Sequence, residues 1–334
     1  MKSLVQKLVE TTGPSGYEAP IREVVRAEVE PLVDEVRVDN LGNLIARKGR
    51  AAADGLKIML SAHVDEIGLI ATHVDERGFV RFSALGGVRA GALYGGRVRF
   101  LNGAAGVIGA ERPKEPGRVP DMESLFIDLG AASRKECPVT VGDVAVFERP
   151  FIDLGQRWVS KAMDDRIGVA VLVETLRRLA AQPTPHELYF VFSVQEEVGL
   201  RGATTAAYGV DPDLGLAVDV TLSGDTPQGI KMEVALGKGP AIKVRDGRML
   251  ADPRIIRWMA GTAEAAGLPY QLEVLEGGTT DAAAIQLTRS GVPSGCLSIP
   301  CRYVHSPSEM VDSRDVENGV RLMVELLRKP VNLD

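Results

Sequence analysis

The sequence predicts an α/β fold interrupted by a β-rich insertion. Three observations carry this. After Trp158, buried-strand runs such as HELYFVFSV and LGLAVDVT alternate with helical stretches such as DDRIGVAVLVETLRRLAA, the pattern of a sheet covered by helices on both faces. Between about Gly68 and Phe151 the texture changes to short runs (GFVRFSAL, GGRVRFL, AAGVIGA, SLFIDLG, VGDVAVFE) separated by Gly, Pro, Asn and Asp turns. Such spacing marks a small antiparallel barrel or sandwich. Ahead of the insertion, LKIMLSA is a short apolar run of the kind a buried strand shows.

In chain order, Ser3 to about Glu30 predicts one helix, with Leu4, Val5, Leu8 and Val9 as its apolar stripe and Pro31 as its stop. VDEVRVDNLGNLIARKG alternates like a hairpin turning at Asn40 to Asn43. Within the insertion only Ala131 to Glu136 reads as helical. The long helix after Asp164 stops before Pro183 and Pro185. PAIKVRD, YQLEVLE and PSGCLSIP then read as strands, and DPRIIRWMAGTAEAAG, TTDAAAIQLTRSG and DSRDVENGVRLMVELLRK as helices. The resulting division places residues 1–67 and 158–334 in one domain and 68–157 in the insertion.

Bulk properties narrow the function. The 334 residues are 45% hydrophobic and 25% charged, an ordinary globular composition. A net charge of -6 offers no basic face for nucleic acid. No apolar run approaches the roughly 20 residues a membrane span needs, and the amphipathic N-terminus does not read as a signal peptide. Three cysteines are too few and too scattered for a disulfide framework or a Cys-rich zinc site, so a cytoplasmic setting is expected. The phosphate-loop pattern G-x-x-x-x-G-K-[ST] and the serine-hydrolase pattern G-x-S-x-G are both absent from the sequence.

The chain has four histidines, and acidic residues gather at predicted strand ends. His63 and Asp65 end one strand, Glu196 and Glu197 follow FVFSV, Asp219 interrupts LAVDVT, and His305 follows the last strand. Asp164 and Asp165 precede the long helix, where acids also serve as caps. In open α/β sheets the strands' carboxyl ends line the ligand crevice. A lone acid in an apolar strand, such as Asp219, needs a cation or hydrogen bonds. These residue types suit a two-metal hydrolytic site, with one of the adjacent glutamates binding metal and the other acting as base. The tetrapeptide HVDE occurs twice, at His63 and at His73. In an extended chain those rings would lie roughly 33 Å apart, and Asp75 to Gly78 reads as a hairpin turn, so His73 is placed outside the site.

Taken in order, TGPSGYE, VDNLGNLIA, SAHVDEIG, SKAMDDRIGVA, FVFSVQEEVGLRGA, AVDVT, GGTTDAAAIQ and PCRYVHSPSEMVD resemble the M42 family of metallo-aminopeptidases across essentially the whole chain. His63 is followed by Val-Asp-Glu-Ile-Gly rather than by the proline-bearing motif of related exopeptidases and deacylases. The resemblance implies a mixed-sheet α/β/α exopeptidase-like catalytic domain with an inserted PDZ-like barrel that serves subunit assembly. It implies two divalent cations, zinc or cobalt, with His63 and Asp219 on one, Glu197 and His305 on the other, and Asp164 bridging. Spacing alone leaves Asp164 and Asp165 both open as the bridge; the family pattern favours Asp164. Glu196 takes the role of general base, and Asp65 that of orienting His63. The resemblance further implies peptide substrates trimmed from the N-terminus and a homo-oligomer, a tetrahedral dodecamer. One departure is Gly277-Gly278-Thr279-Thr280-Asp281, where many relatives carry an extra glycine. Competing readings are another metal-dependent hydrolase, of endoglucanase or deacylase type, and a non-catalytic assembly protein. Aromatic residues at 5% offer little sugar-stacking surface, and the second alternative leaves the ligand set without a use.

Overall fold

A computed structural model describes residues 1–112 and 119–333. Helices α1 (Lys2–Glu10) and α2 (Ala19–Val29) open the chain, followed by strands β1 (Glu35–Val38), β2 (Leu44–Lys48) and β3 (Lys57–His63). The insertion supplies β4 (Gly68–Val74), β5 (Val80–Leu85), β6 (Arg97–Phe100), β7 (Ala105–Ala110), β8 (Leu125–Asp128) and β9 (Val144–Phe147). The chain returns through β10 (Ile152–Asp153), β11 (Arg157–Ser160), α3 (Met163–Leu179), β12 (Glu187–Ser193), α4 (Arg201–Val210) and β13 (Leu214–Thr221). It closes with β14 (Ala241–Arg245), α5 (Pro253–Ala265), β15 (Gln271–Val274), α6 (Asp281–Gln286), β16 (Ser294–Arg302), β17 (Glu309–Asp312) and α7 (Ser313–Leu327).

The large sheet runs β1-β2-β12-β3-β13-β16-β17-β11-β10, and β14 joins β16 and carries β15. Its centre, β12, β3, β13 and β16, is parallel, while β2 runs antiparallel to β12, and β14 and β17 run antiparallel to β16. All eight residues of β13 are buried, as a parallel strand covered on both faces requires. Side-chain alternation sorts the strands onto two faces. Leu44, Ile58, Leu60, Phe190 and Phe192 join the core built on α1, α3 and α7, whereas Ile45, Met59 and Val191 pack with α4 and α6. The insertion closes on itself as β4-β5-β8-β7-β6-β9, around a separate core that includes Leu69, Val80, Val98, Ile127 and Phe147. The predicted mixed α/β sheet and inserted barrel are both present.

Three local expectations change. The N-terminal helix is two helices, because residues 11–18 form a loop. The fully buried Arg166 reaches back to this loop, and its Nη1 donates to the carbonyls of Leu8 at 2.6 Å and Thr11 at 3.0 Å, engaging groups a helix end leaves free. Gly16 within that loop has φ +85°, a conformation glycine takes at little cost. Ala131 to Glu136 makes turns rather than a helix, with short-range bonds from Glu136 N–H to Ser133 O and from Cys137 N–H to Ser133 O and Arg134 O. Finally, β11 and β17 are strands the sequence did not announce; they pair with each other and set Ser160 opposite Glu309.

Candidate metal centre

Four chain segments converge at the carboxyl ends of the central strands. His63 is the last residue of β3, Asp219 lies near the end of β13, Glu196 and Glu197 follow β12, and His305 follows β16. Asp164 comes from the link between β11 and the regular part of α3, where Asp164 and Asp165 depart from helical geometry. All five expected ligands, His63, Asp164, Glu197, Asp219 and His305, are brought together, and so is Glu196.

Asp164 stands at the centre. Its Oδ1 lies 3.0 Å from His63 Nε2, and its Oδ2 lies 3.3 Å from His305 Nε2. Glu197 Oε2 is also 3.3 Å from His305 Nε2. On the other side, His63 Nε2 is 3.9 Å from Glu196 Oε2 and 4.0 Å from Asp219 Oδ1. Donor atoms of His63, Asp164 and Glu197 lie within 4.8 Å of one another, and so do those of His63, Asp165 and Asp219. The second grouping makes Asp165 a geometric competitor. Its oxygens are already engaged, however: Oδ1 accepts Gly168 N–H at 2.9 Å, in the manner of a helix cap, and Oδ2 accepts His63 N–H at 3.3 Å.

Asp65 does more than face the histidine. Its carbonyl oxygen is 3.0 Å from His63 Nδ1, closer than its carboxylate at 3.5 Å. The carboxylate accepts instead from Ser15 Oγ at 2.6 Å and from the N–H groups of Glu196 and Glu197 at 3.0 and 3.2 Å. Glu309 makes a similar contact across the site, accepting Asp164 N–H at 3.0 Å and His305 N–H at 2.8 Å. Asp281, fully buried, accepts the hydroxyls of Ser61 at 2.6 Å and Ser193 at 2.5 Å beneath the cluster. Sequence reasoning singled out neither Ser15, Asp281 nor Glu309. The only signal for Glu309 was an acid four residues past His305, at the head of an apolar stretch.

The insertion supplies one wall. A Cβ on Gly87 would fall 2.3 Å from His305 Nδ1, and one on Gly86 would fall 2.8 Å from Glu197 Oε2. The cleft in front of the cluster has a volume of about 1840 Å³, and Arg89, Lys231, Glu233, Arg248 and Glu276 line it. His73 is exposed on β4, and the turn predicted after it is present: Gly78 N–H bonds Asp75 O at 3.0 Å.

The electrostatics are those of a site short of positive charge. Burial pushes the carboxyls of Glu196, Glu197, Asp165 and Asp219 above their ordinary range, and neighbouring carboxylates add to it. Asp164 moves the other way, because hydrogen bonds from His305 and His63 outweigh its burial. Burial would lower the proton affinity of His305, yet Asp164 and Glu197 pull it up to about 11. Glu197 Oε1 is buried without a hydrogen-bond partner among the described residues, a costly state unless a cation completes it. The donor set, imidazole and carboxylate only, fits borderline divalent cations. Backbone strain also gathers here: Ala162, Gln195, Tyr303 and His305 all have φ between +54° and +62°, as is common where a functional arrangement is over-determined.

Comparison with known proteins gives the family. The family model described as M42 glutamyl aminopeptidase matches residues 42–322. The chain is 36% identical to the lysyl aminopeptidase of Pyrococcus furiosus, covering 99% of this chain and 98% of that protein. It superposes on an aminopeptidase from the archaeon Desulfurococcus kamchatkensis with TM-score 0.93 and 42% identity, over 98% of this chain and 94% of the other. It also matches the TET1 peptidase of Pyrococcus horikoshii, which can assemble into a tetrahedron or a large octahedral shell. There the TM-score is 0.89 at 34% identity, over 98% of this chain and 99% of that one. With a family match over most of its length and the fold of solved aminopeptidases, this chain belongs to the M42 peptidase family and is a hydrolase of the aminopeptidase class.

Proposed function

We propose that the protein removes N-terminal residues from peptides, using two divalent cations held by His63, Asp164, Glu197, Asp219 and His305, with Glu196 as the general base. The observation that carries this reading is the division of Asp164: one oxygen faces His63 and the other faces His305. A carboxylate placed so between two imidazoles suits a bridge in a two-cation site. The cations, zinc or cobalt by donor chemistry, would supply a water acidic enough to attack near neutral pH and a contact polarising the scissile carbonyl.

The rest is the work of the chain. Glu196 lines the cleft beside His63, where it can take the proton of the attacking water and return it to the leaving amine. The backbone contact with Asp65 fixes where Glu196 starts. A substrate's free ammonium group can meet the carboxylates that line the cleft beside the cluster. The cleft lining carries both signs of charge, Arg89, Lys231 and Arg248 against Glu233 and Glu276. The family description says glutamyl and the Pyrococcus furiosus relative is lysyl, so this chain's side-chain preference has to be measured.

Residues 1–67 and 158–334 form the catalytic domain in this reading, and 68–157 the PDZ-like assembly domain, which also walls the site through Gly86 and Gly87. The homo-oligomer is a tetrahedral dodecamer in this reading, supported by a TET1 relative solved as a dodecamer and able to form a tetrahedron or a large octahedral shell. Free Cys137, Cys296 and Cys301 suit a reducing cytosol. Among the described residues no helix is long and apolar enough to cross a membrane.

The test is a panel of aminoacyl chromogenic substrates on chelator-stripped protein refilled with zinc, cobalt or manganese, with Glu196→Gln alongside. Turnover should return only with metal. The variant should keep its metal and lose about 10²–10⁴-fold in kcat. A metal-loaded variant of near-normal activity removes Glu196 from the role of base, and turnover unaffected by chelation removes the metal reading.

A further inference from the structure

We propose that Glu309 is a positioning residue of the metal centre, whose carboxylate fixes Asp164 and His305 relative to each other through their backbones. The inference rests on the reading that this cluster holds divalent cations.

Glu309 is 1% exposed and opens β17. Its Oε2 accepts the N–H of Asp164 at 3.0 Å and its Oε1 accepts the N–H of His305 at 2.8 Å. The side chains of those two residues meet in turn, Asp164 Oδ2 with His305 Nε2 at 3.3 Å. A closed ring results: one carboxylate holds two peptide groups, and the side chains on those peptides face the same point.

Neither peptide is held by regular structure. Asp164 sits at φ -77°, ψ 109° within the irregular start of α3, and His305 has φ +61°. A non-glycine residue in the left-handed region persists only when its surroundings enforce it. Glu309 is placed to do so by sheet pairing. β17 lies between β11, which leads into Asp164, and the end of β16, which leads into His305. Ser160 is directly opposite Glu309 in that ladder. No direct bond from Glu309 to a metal-facing side-chain atom is present among the described residues, so it acts through the two backbones. Asp65 makes the corresponding contact for Glu196 and Glu197, and the two clamps together fix four of the six cluster residues.

The test uses full-length protein stripped by a chelator and titrated with Co²⁺, followed by visible absorbance and competition with a chelator of known affinity. Glu309→Gln keeps the volume but turns one acceptor oxygen into an amide that faces an N–H. One Co²⁺ position should weaken by about 10–100-fold, its absorption bands should shift, and kcat should fall more than KM rises. The melting temperature of the metal-free variant should fall by no more than one unsatisfied buried N–H accounts for, as in any variant that removes such an acceptor. If Glu309→Gln does not fold, Glu309→Asp, which keeps the charge but cannot reach both peptides, should show the same weakening. Two Co²⁺ bound with wild-type affinity and spectrum in a folded variant would overturn the proposal. So would a lowered melting temperature with unchanged affinity, which marks a structural role only. Wild-type protein that takes up no Co²⁺ would instead overturn the metal reading on which the inference stands.

Discussion

The carboxylate of Asp65 accepts the backbone N–H of Glu196 at 3.0 Å while its own carbonyl oxygen lies 3.0 Å from Nδ1 of His63. One residue therefore ties the end of β3 to the acidic loop after β12. The histidine and the base are registered by the same side chain and its peptide, not by a simple carboxylate–imidazole pair. Asp65→Asn should disturb both. Its amide can accept at only one atom, leaving the N–H of either Glu196 or Glu197 facing a donor. Metal affinity should fall about 10–100-fold, as for other groups that support ligands. Stability of the stripped protein should fall by about 1–3 kcal/mol from the unsatisfied buried donor. Metal titration and urea unfolding check the two effects separately; a variant unchanged in both would deny Asp65 this role.

The barrel's contact with His305 gives a second prediction. Gly87→Ala introduces a methyl whose ideal position is 2.3 Å from Nδ1 and 2.6 Å from Cε1 of His305. The imidazole or the barrel loop must move, and a displacement of that size at a ligand is expensive to catalysis, about 100-fold for a misplacement of ~1 Å. Gly209→Ala is the control, since its Cβ meets nothing within 4 Å and lies in α4. Alanine there should stabilise by about 1 kcal/mol or less. Equal kcat for the two variants would show that the barrel does not constrain His305.

Much of this site could be read from residue types. His63 and His305 are two of four histidines, and Asp219 breaks an apolar strand, so each stands out on its own. The parallel core was legible because β12, β13 and β16 are long apolar runs. What stayed hidden works through the backbone or through distance. Glu309 and Ser15 act on peptide groups and hydroxyl geometry that leave no periodic trace. Gly87 matters only because His305, distant in sequence, lies against it. The split of the first helix is likewise non-local: Leu4, Val5, Leu8 and Ile21, Val25, Val29 keep helical spacing on both sides, but Arg166 and the Glu66 contact hold the loop between them. The short strands β11 and β17 depend on pairing with each other and carry too few residues to show a period.

A buried histidine away from the metal centre sets a pH dependence. His186 Nδ1 accepts Leu56 N–H at 3.0 Å, and its Nε2 is 2.8 Å from Lys329 O. That pattern needs the neutral ring with Nε2 protonated, and burial holds its pKa below the ordinary histidine value. The sign follows. Above pH ~6.5 both folded and unfolded states are neutral and the contribution is complete. As pH falls below that value the unfolded chain takes a proton that the folded state refuses, so stability is lost by up to about 1.4 kcal/mol per pH unit until the lowered pKa is reached. In chemical unfolding of stripped protein between about pH 7.5 and 5, the advantage of wild type over His186→Gln should shrink as pH falls. A difference that stays constant across the range would contradict this assignment.

The doubled HVDE supplies the last prediction, because its two copies end in glutamates with opposite surroundings. Glu66 is 1% exposed. Its Oε2 accepts from Lys161 Nζ at 2.6 Å, and its Oε1 accepts Gly13 N–H at 3.0 Å and lies 3.7 Å from Arg166. Lys161 and Arg166 flank Asp164 in sequence, so this buried triad anchors the link on which the bridging carboxylate sits and the loop that carries Ser15. Glu66→Gln keeps the shape and removes the charge, leaving two buried cations without their counterion. Breaking a buried pair from one side costs about 3–5 kcal/mol, and unfolding of stripped protein should show a loss of that order before any metal effect is considered. Glu76, the matching residue of the second copy, is exposed on the turn after β4 and lies 3.7 Å from the exposed Arg134. Glu76→Gln should change stability by no more than about 0.5 kcal/mol and leave metal content alone. Equal effects at the two positions would mean that Glu66 is not the counterion its distances make it, and that the setting of the first copy confers no more than that of the second.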